Sequence, residues 1–312
     1  MESLQRQDAP QPGKGRLPAK GNWALPLFKA MRPRQWLKNL LVFLPMLAGH
    51  ALTAQAAAQS LLAFGAFCLC ASSAYLLNDT LDAENDRAHP TKHARPIASG
   101  RLPVPVALWA SALLAPLAMV MALAGGTALL VAVAVYFLAT VGYTLYLKQI
   151  LMIDIVALAI LYTLRILGGG ASTGIAPSFW LLTFSFFLFL SLALLKRHGE
   201  LLNLEARGKR TSRGRGYTVG DRAPIGMMGV NAAFMSVLIF VLYFNSDNVA
   251  RLYRTPALLF AVVPLLVFWL GRLWTLSFRG EINEDPLLYV SRDPVSLLVI
   301  AACMGLGAAA SM

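Results

Sequence analysis

The feature that most constrains this chain is a series of apolar runs, each about 20 residues long. A helix of about 20 residues spans the hydrocarbon layer of a bilayer, which is about 30 Å thick. Charged residues make up only 13% of the 312 residues, against about 25% in soluble domains. The sequence therefore predicts an all-α integral membrane protein. Its nine predicted transmembrane helices cover residues 39–56, 60–77, 104–124, 127–147, 150–170, 178–195, 223–244, 256–275 and 294–311.

The basic residues are distributed unevenly between the two sides of this predicted bundle. With the N-terminus in the cytoplasm, 24 of the 27 Lys and Arg residues fall in inner segments, and only Arg251 and Arg254 in outer ones. This asymmetry is the positive-inside pattern of a multi-pass protein of the plasma (inner) membrane. The net charge of +12 is then explained by topology, and we expect membrane lipids but no nucleic acid as partners.

The polar segments suggest one membrane domain with its chemistry on the inner side. Residues 1–28 are polar at their start and lack a signal-peptide core, so they are predicted to form a disordered cytoplasmic tail. The two long polar insertions, 78–103 and 196–222, both fall on the predicted inner side. Arg165 lies inside a span near its outer end, where snorkelling to the headgroups explains it at least as well as catalysis. The sequence leaves the oligomeric state open, a homo-oligomer included.

An acidic cluster follows the second predicted span, where residues 78–86 read NDTLDAEND. At about 100° per residue, Asp79, Asp82 and Asp86 fall within an arc of about 60°, with Asn78 beside it and Glu84 about 140° away from Asp79. Oxygen ligands suit Mg²⁺ held jointly with substrate phosphates. The four residues on the shared face are therefore predicted to hold Mg²⁺ and a diphosphate, and the alternative is an acidic loop that merely faces water.

Basic residues come directly after the acidic cluster. Arg87, Lys92 and Arg95 are predicted to bind substrate phosphates, because guanidinium and ammonium groups donate charge-assisted hydrogen bonds to phosphate oxygens. His89 and His93 have helical spacing, but a third ligand is missing from the segment and nearby prolines oppose a regular helix. We therefore expect no zinc site there.

Further candidates lie near the inner ends of other spans. Arg34 and Lys38 flank Trp36 before the first span, a pattern typical of an interfacial anchor or of a lipid-phosphate site. Asp154 opens the fifth span, where it has four alternative roles: to pair with Lys148, to bind ribose hydroxyls, to ligate Mg²⁺, or to cap its helix. We predict catalytic roles for Asp79, Asp82, Lys148 and Asp154, and substrate binding for Arg34, Lys38, Asn78, Arg87, Lys92, Arg95, Tyr143, Lys196 and Arg197.

The pattern N-D-x-x-D-x-x-x-D at 78–86, followed by D-R-x-x-P-x-K-x-x-R-P-I-A-S-G, resembles the first aspartate motif of the UbiA-type intramembrane prenyltransferase superfamily. The resemblance implies a ring of transmembrane helices around a cavity open to the membrane, formed here by residues 29–312. It also implies that Mg²⁺ and a diphosphate are held beneath a cytoplasmic cap. The superfamily's usual second aspartate motif is missing, because residues 196–222 carry only the scattered acids Glu200, Glu205 and Asp221.

Several segments resemble one branch of that superfamily, the decaprenyl-phosphate phosphoribosyltransferases. They are RPRQWLKN at 32–39, the series Tyr143, Lys148, Asp154 and Arg165, the end of the sixth span at Lys196, and the stretch 285–293. The resemblance implies transfer of 5-phosphoribose from phosphoribosyl diphosphate to a polyprenyl (decaprenyl-type) phosphate, in cell-envelope biosynthesis.

Two other functions remain as alternatives. One is transfer of an isoprenoid from a prenyl diphosphate to an aromatic or other acceptor, which the missing second acidic pair disfavours. The other is transport of polyprenyl lipids, which would need polar groups throughout the bilayer, whereas nearly all ionisable residues fall on one side.

Overall fold

A computed structural model describes residues 23–88, 91–211, 216–243, 246, 249, 252–282 and 285–312. These residues are helical apart from turns, loops and one isolated bridge, between Thr211 and Thr218. Residues 1–22 of the predicted tail lie outside the described part, as does His89. A short helix at 24–30 covers the last residues of that predicted tail.

The α-helices differ greatly in length, and a 3-10 helix at Pro33–Phe43, called here the 3-10 segment, lies between the first two. The α-helices are α1 (Ala24–Ala30), α2 (Leu44–Ala48), α3 (Ala54–Leu81), α4 (Ala83–Arg87), α5 (Val104–Ala124), α6 (Thr127–Leu145), α7 (Ile153–Thr173), α8 (Phe179–Ala206), α9 (Arg222–Tyr243), α10 (Val262–Phe278), α11 (Pro286–Val290) and α12 (Pro294–Ser311). Short 3-10 turns lie at Lys92–Ala94, Leu147–Gln149, Val219–Asp221 and Pro256–Ala261.

Eight helical segments of the described chain are long and apolar enough to cross a membrane, and they coincide with eight of the predicted spans. The prediction of a continuous helix over 39–56 is wrong. The 3-10 segment and α2 cover 33–48, and α3 already begins at Ala54. Two prolines, Pro33 and Pro45, lie at the starts of the two short helices, where a missing N–H costs least.

Two apolar cores pack on either side of α7. One joins α7 with α8, α9 and α10, and the other joins α3, α5 and α6. The chain approaches α7 closely at two glycines: a Cβ on Gly168 would lie 2.4 Å from the ring of Phe67, and one on Gly169 would lie 2.0 Å from the carbonyl oxygen of Val42. The 3-10 segment therefore lies directly against the backbone of α7.

Candidate functional site

The acidic segment lies where α3 ends and α4 begins. α3 ends at Leu81, Asp82 forms the junction, and α4 continues from Ala83, so the predicted single helix is interrupted by one turn residue. Asp79 and Asp86 are buried, with 2% and 4% of their surface exposed. Glu84 is exposed, as its helical spacing predicts. The interruption thus leaves two of the carboxylates facing the protein interior.

Asp79 and Asp86 share one cation. Nη1 of Arg95 lies 3.1 Å from Oδ1 of Asp79 and 2.6 Å from Oδ2 of Asp86. Nη2 of Arg32 lies 2.5 Å from the same Asp79 oxygen, and its guanidinium carbon is 4.9 Å from the centre of the Tyr75 ring. Arg32 was not among the predicted site residues, although it belongs to the same basic segment as Arg34 and Lys38.

Asp82 binds a cation from another helix connection. Nζ of Lys148, on the turn after α6, lies 3.0 Å and 3.2 Å from the two oxygens of Asp82. Two predicted catalytic residues that are 66 positions apart in the chain are therefore brought together. Tyr143, one helical turn before Lys148, is half-buried against the α3–α6 core.

The other predicted phosphate-binding residues near this cluster differ in exposure. Arg87 donates from Nε to the carbonyl oxygen of Ala98 at 3.2 Å and so supports the loop after α4. Asn78 and Lys92 are half-buried, and Arg34 is exposed at the start of the 3-10 segment. Their predicted contacts with substrate stay predictions.

A second polar cluster has two lysines on one carboxylate. Nζ of Lys38 lies 2.7 Å from Oδ2 of Asp285, and Nζ of Lys196 lies 3.5 Å from the same oxygen. Burial would raise the pKa of Asp285, but the two ammonium groups hold it well below its usual range. A small cavity of about 30 Å³ adjoins the three side chains. Two of these three side chains are cationic, and cationic groups beside a cavity favour the binding of an anion.

Asp285 was missed by the sequence reasoning as a site residue. Its only signal was its place in the stretch 285–293, which resembles the phosphoribosyltransferase branch. The residue also accepts a hydrogen bond from the backbone N–H of Leu287, and so caps α11. Asp285 is thereby fixed beside Lys38 in the middle of the 3-10 segment and Lys196 in the second half of α8.

Asp154, at the start of α7, and Arg197, in the second half of α8, form a buried ion pair. Arg197 also binds Glu200, and its guanidinium carbon is 5.0 Å from the centre of the Tyr217 ring. The hydroxyl of Tyr217 donates to Asp154 over 2.5 Å and accepts from the backbone N–H of Met152 over 2.9 Å. Asp154 and Arg197 are only 0% and 2% exposed. These contacts fasten the loop after α8 to α7.

Arg165 does not snorkel. Only 4% of its surface is exposed, and its three hydrogen-bonding partners all lie inside the bundle. The snorkelling interpretation is wrong because Asn39 and Tyr136 supply hydrogen-bond acceptors beside Arg165 inside the bundle. The position of Arg165 along its helix does not reveal these partners.

The carboxylates of the acidic segment fit the way in which proteins commonly bind Mg²⁺, the ion that the sequence predicts here. Among the residues that the structure describes, no group of three or more His, Cys, Asp or Glu could hold a metal ion. Asp79 and Asp86 nevertheless face one shared cation position, which Nη1 of Arg95 fills. Mg²⁺ is commonly bound through one or two carboxylates plus substrate phosphates and water. The donor set fits that mode, with substrate phosphates supplying the remaining ligands.

An apolar cavity of about 520 Å³ lies at the other end of α8 from Lys196. Its lining includes Ile175, Trp180, Phe184 and Phe240. This volume is in the range of ligand-binding cavities, which is about 300–1,000 Å³. One helix, α8, thus carries part of this apolar cavity at its start and Lys196 in its second half.

Comparison with known proteins agrees with this architecture. Residues 42–287 match the model of the UbiA prenyltransferase family. The chain belongs to the UbiA prenyltransferase family. It is therefore a membrane transferase. Its superposition on a UbiA homologue from Archaeoglobus fulgidus bound to GPP and Mg²⁺ has a TM-score of 0.67. That match covers 91% of this chain and 99% of the homologue at 15% identity, so it shows the shared fold.

Relatives in sequence support the phosphoribosyltransferase-like branch of the UbiA family. The decaprenyl-phosphate phosphoribosyltransferase of Mycolicibacterium smegmatis is 39% identical over 215 residues, 67% of each chain. The nodulation protein NoeC of Azorhizobium caulinodans is 34% identical over 87% of this chain and 89% of its own length. Protein y4nM of Sinorhizobium fredii is 38% identical over 86% of this chain, which spans only 52% of that relative.

Proposed function

We propose that this UbiA-family protein transfers 5-phosphoribose from phosphoribosyl diphosphate to a polyprenyl phosphate of the decaprenyl type. The observation that carries the proposal is the presence of two cation-bearing clusters, one around Asp79 and Asp86 and one around Asp285. Two phosphorylated substrates need two anion-binding sites. Only the donor substrate carries a leaving diphosphate. The named phosphoribosyltransferase relatives, at 34–39% identity, support the same reaction.

The donor binds at the cluster between α3 and α4. Asp79 and Asp86, with Asn78 and Asp82 beside them, would hold Mg²⁺, which when bound neutralises the charge of the departing diphosphate. Arg95, together with Arg32 and Lys148, is salt-bridged to these carboxylates. When the donor binds, these cations exchange a carboxylate for phosphate oxygens, which guanidinium contacts through paired N–H groups. Further phosphate contacts come from Arg87 and Lys92 on the following loop.

The acceptor phosphate binds at Lys38 and Lys196. A phosphate monoester is already anionic at pH 7, because its second pKa is about 6. A strong base is therefore unnecessary, and the lipid phosphate oxygen attacks the anomeric carbon directly. A bond forms between this oxygen and the anomeric carbon, the bond from that carbon to the diphosphate breaks, and the diphosphate leaves with the electron pair. Arg34, at the exposed start of the 3-10 segment, contacts headgroups or the acceptor phosphate.

The protein spans the plasma membrane nine times, with its N-terminus in the cytoplasm and both polar clusters facing the cytoplasmic side. At about 2.0 Å per residue the 3-10 segment is about 22 Å long, and α2 adds about 7 Å. Residues 33–48 are thus long enough to cross the hydrocarbon layer alongside the eight other helices. The charge asymmetry of 24 inner basic residues among 27 supports this orientation. Residues 29–312 form one domain, preceded by the polar tail.

A second candidate function is transfer of an isoprenoid from a prenyl diphosphate. The fold likeness to UbiA homologues bound to GPP and DMAPP favours it. Against it, the region 196–222 has Lys196 and Arg197 at its start and no pair of aspartates. A second carboxylate pair would repel the phosphate of a second substrate, so its absence favours a phosphorylated acceptor.

The proposed donor site is tested by measuring diphosphate release from phosphoribosyl diphosphate by the full-length protein in lipid nanodiscs. Release should require both Mg²⁺ and a polyprenyl phosphate. Asp79→Asn and Asp82→Asn should each slow it at least about a hundredfold, whereas the matched control Glu84→Gln should stay within about twofold of the wild type. Normal release by Asp79→Asn would refute the assignment of the donor site.

A further inference from the structure

Arg165 is a guanidinium buried in the membrane part of the protein. It lies within α7, and its Nε donates to Oδ1 of Asn39 at 2.8 Å, its Nη2 to the hydroxyl of Tyr136 at 2.7 Å, and its Nη1 to the carbonyl oxygen of Leu161 at 2.5 Å. All three acceptors are neutral. Within the described part of the chain, Arg165 belongs to no ion pair. Such a charge is expensive inside a membrane, which points to a functional role.

The aromatic contacts of Arg165 lead towards the second polar cluster. Its guanidinium carbon lies 4.7 Å from the centre of the Tyr136 ring and 5.3 Å from that of the Tyr162 ring. The ammonium of Lys38 lies 5.6 Å from the centre of the same Tyr162 ring. Cations over aromatic faces at these distances are attracted to them. Tyr162 is therefore a common neighbour of Arg165 and Lys38.

The hydrogen bond to Asn39 connects Arg165 to the residue that follows Lys38. Asn39 is 0% exposed, and its Nδ2 also lies 3.2 Å from the sulfur of Cys68 on α3. A 3-10 helix has weaker backbone hydrogen bonds than an α-helix, so the position of this segment depends strongly on its side-chain contacts. The close approach of Gly169 to Val42, one turn further along α7, brings the same segment against the same helix.

We propose that Arg165 is a positioning residue that holds the 3-10 segment so that Lys38 faces Asp285 and Lys196. The inference rests on the proposed function, because it takes this three-residue cluster as the site of the acceptor phosphate. Arg165 itself does not contact the substrate. Its loss frees Asn39 from α7, and the ammonium of Lys38 then leaves the position in which it binds the phosphate.

A double-mutant cycle tests this coupling. The variants are Arg165→Gln, Lys38→Ala and the double variant, all in nanodiscs, and the measured quantity is the Kd for a polyprenyl phosphate without donor. Each single replacement should weaken binding about tenfold, and the double variant should be no weaker than Lys38→Ala alone. Effects that multiply would overturn the proposal, because Arg165 would then act independently of Lys38.

Further variants separate positioning from general destabilisation. Asn39→Ala keeps Arg165 and should also weaken binding of the lipid phosphate, while the exposed Arg279→Gln should not change it. The KM for phosphoribosyl diphosphate should stay within about twofold in every variant. A parallel rise in the KM for phosphoribosyl diphosphate and in the Kd for the polyprenyl phosphate would indicate a merely structural role and refute the inference. If binding is coupled as predicted but no phosphoribose is transferred, the proposed function fails while the role of Arg165 stands.

Discussion

The ion pair between Asp154 and Arg197 makes a quantitative prediction about stability. Asp154→Ala leaves the guanidinium of Arg197, which is 2% exposed, without its buried counter-ion, and removes the acceptor of the Tyr217 hydroxyl. Removing one partner of a buried ion pair typically costs about 3–5 kcal/mol. This is a large share of the roughly 5–15 kcal/mol by which proteins are stable. Asp154→Ala should therefore be markedly destabilised whether or not substrate is present.

The matched double variant distinguishes pairing from catalysis. Replacing Asp154 by Leu and Arg197 by Met removes both charges, and such replacements are often nearly neutral. Thermal unfolding in nanodiscs, followed by tryptophan fluorescence, should thus give a lower midpoint for Asp154→Ala than for the double variant. Glu200→Gln is the control, because the Glu200 side chain is 37% exposed and its pairing contributes at most about 1 kcal/mol. An Asp154→Ala protein with wild-type stability but no turnover would refute this reasoning and make Asp154 catalytic.

Three further predictions concern helix packing, the pH dependence of activity and the length of the lipid substrate. A Cβ at Gly169 would lie 2.0 Å from a carbonyl oxygen of the 3-10 segment, so Gly169→Ala should lower the free energy of unfolding by about 1–3 kcal/mol. The control is Gly271→Ala, whose Cβ would meet nothing within 4 Å, and it should be neutral or stabilising in the same unfolding assay. Because the pKa of Asp285 is lowered in the folded protein, this carboxylate stays ionised even at its usual pKa of 3.8 and is protonated only at lower pH. A fall in kcat/KM below about pH 6 should therefore come from protonation of the acceptor phosphate. A fall that disappears in Asp285→Asn would contradict this. Ala176→Phe, which reduces the apolar cavity, should raise the KM for a long polyprenyl phosphate but not for geranyl phosphate. The control Ala112→Phe, at an exposed position of α5, should change neither KM.

Much of the fold could be predicted because each span is a local property of the chain. Eight apolar runs are helical segments of 18 to 28 residues, since about 20 apolar residues are enough to specify a membrane helix, although α3 and α8 extend well beyond their predicted bounds. The first span could not be predicted from hydropathy, which does not distinguish a 3-10 segment followed by a short helix from one continuous helix. Its shape depends on the two prolines and on packing against Gly169 of α7.

The candidate site was predictable only where its residues are close in sequence. The acidic cluster is visible as a motif, whereas Arg32 reaches Asp79 across 47 positions and Lys38 reaches Asp285 across 247. No local pattern reports such contacts. The orientation of Arg165 was mispredicted for the same reason, since Asn39 lies 126 positions away from it.

The central claim is that phosphoribose, and not an isoprenoid, is transferred to a lipid phosphate. The most direct measurement is mass spectrometry of the lipids formed when the purified protein is incubated with Mg²⁺, a polyprenyl phosphate and phosphoribosyl diphosphate. A parallel reaction contains prenyl diphosphate and 4-hydroxybenzoate. We expect a phosphoribosylated polyprenyl phosphate in the first reaction and no product in the second. A prenylated aromatic product in the second reaction, with no new lipid in the first, would contradict it.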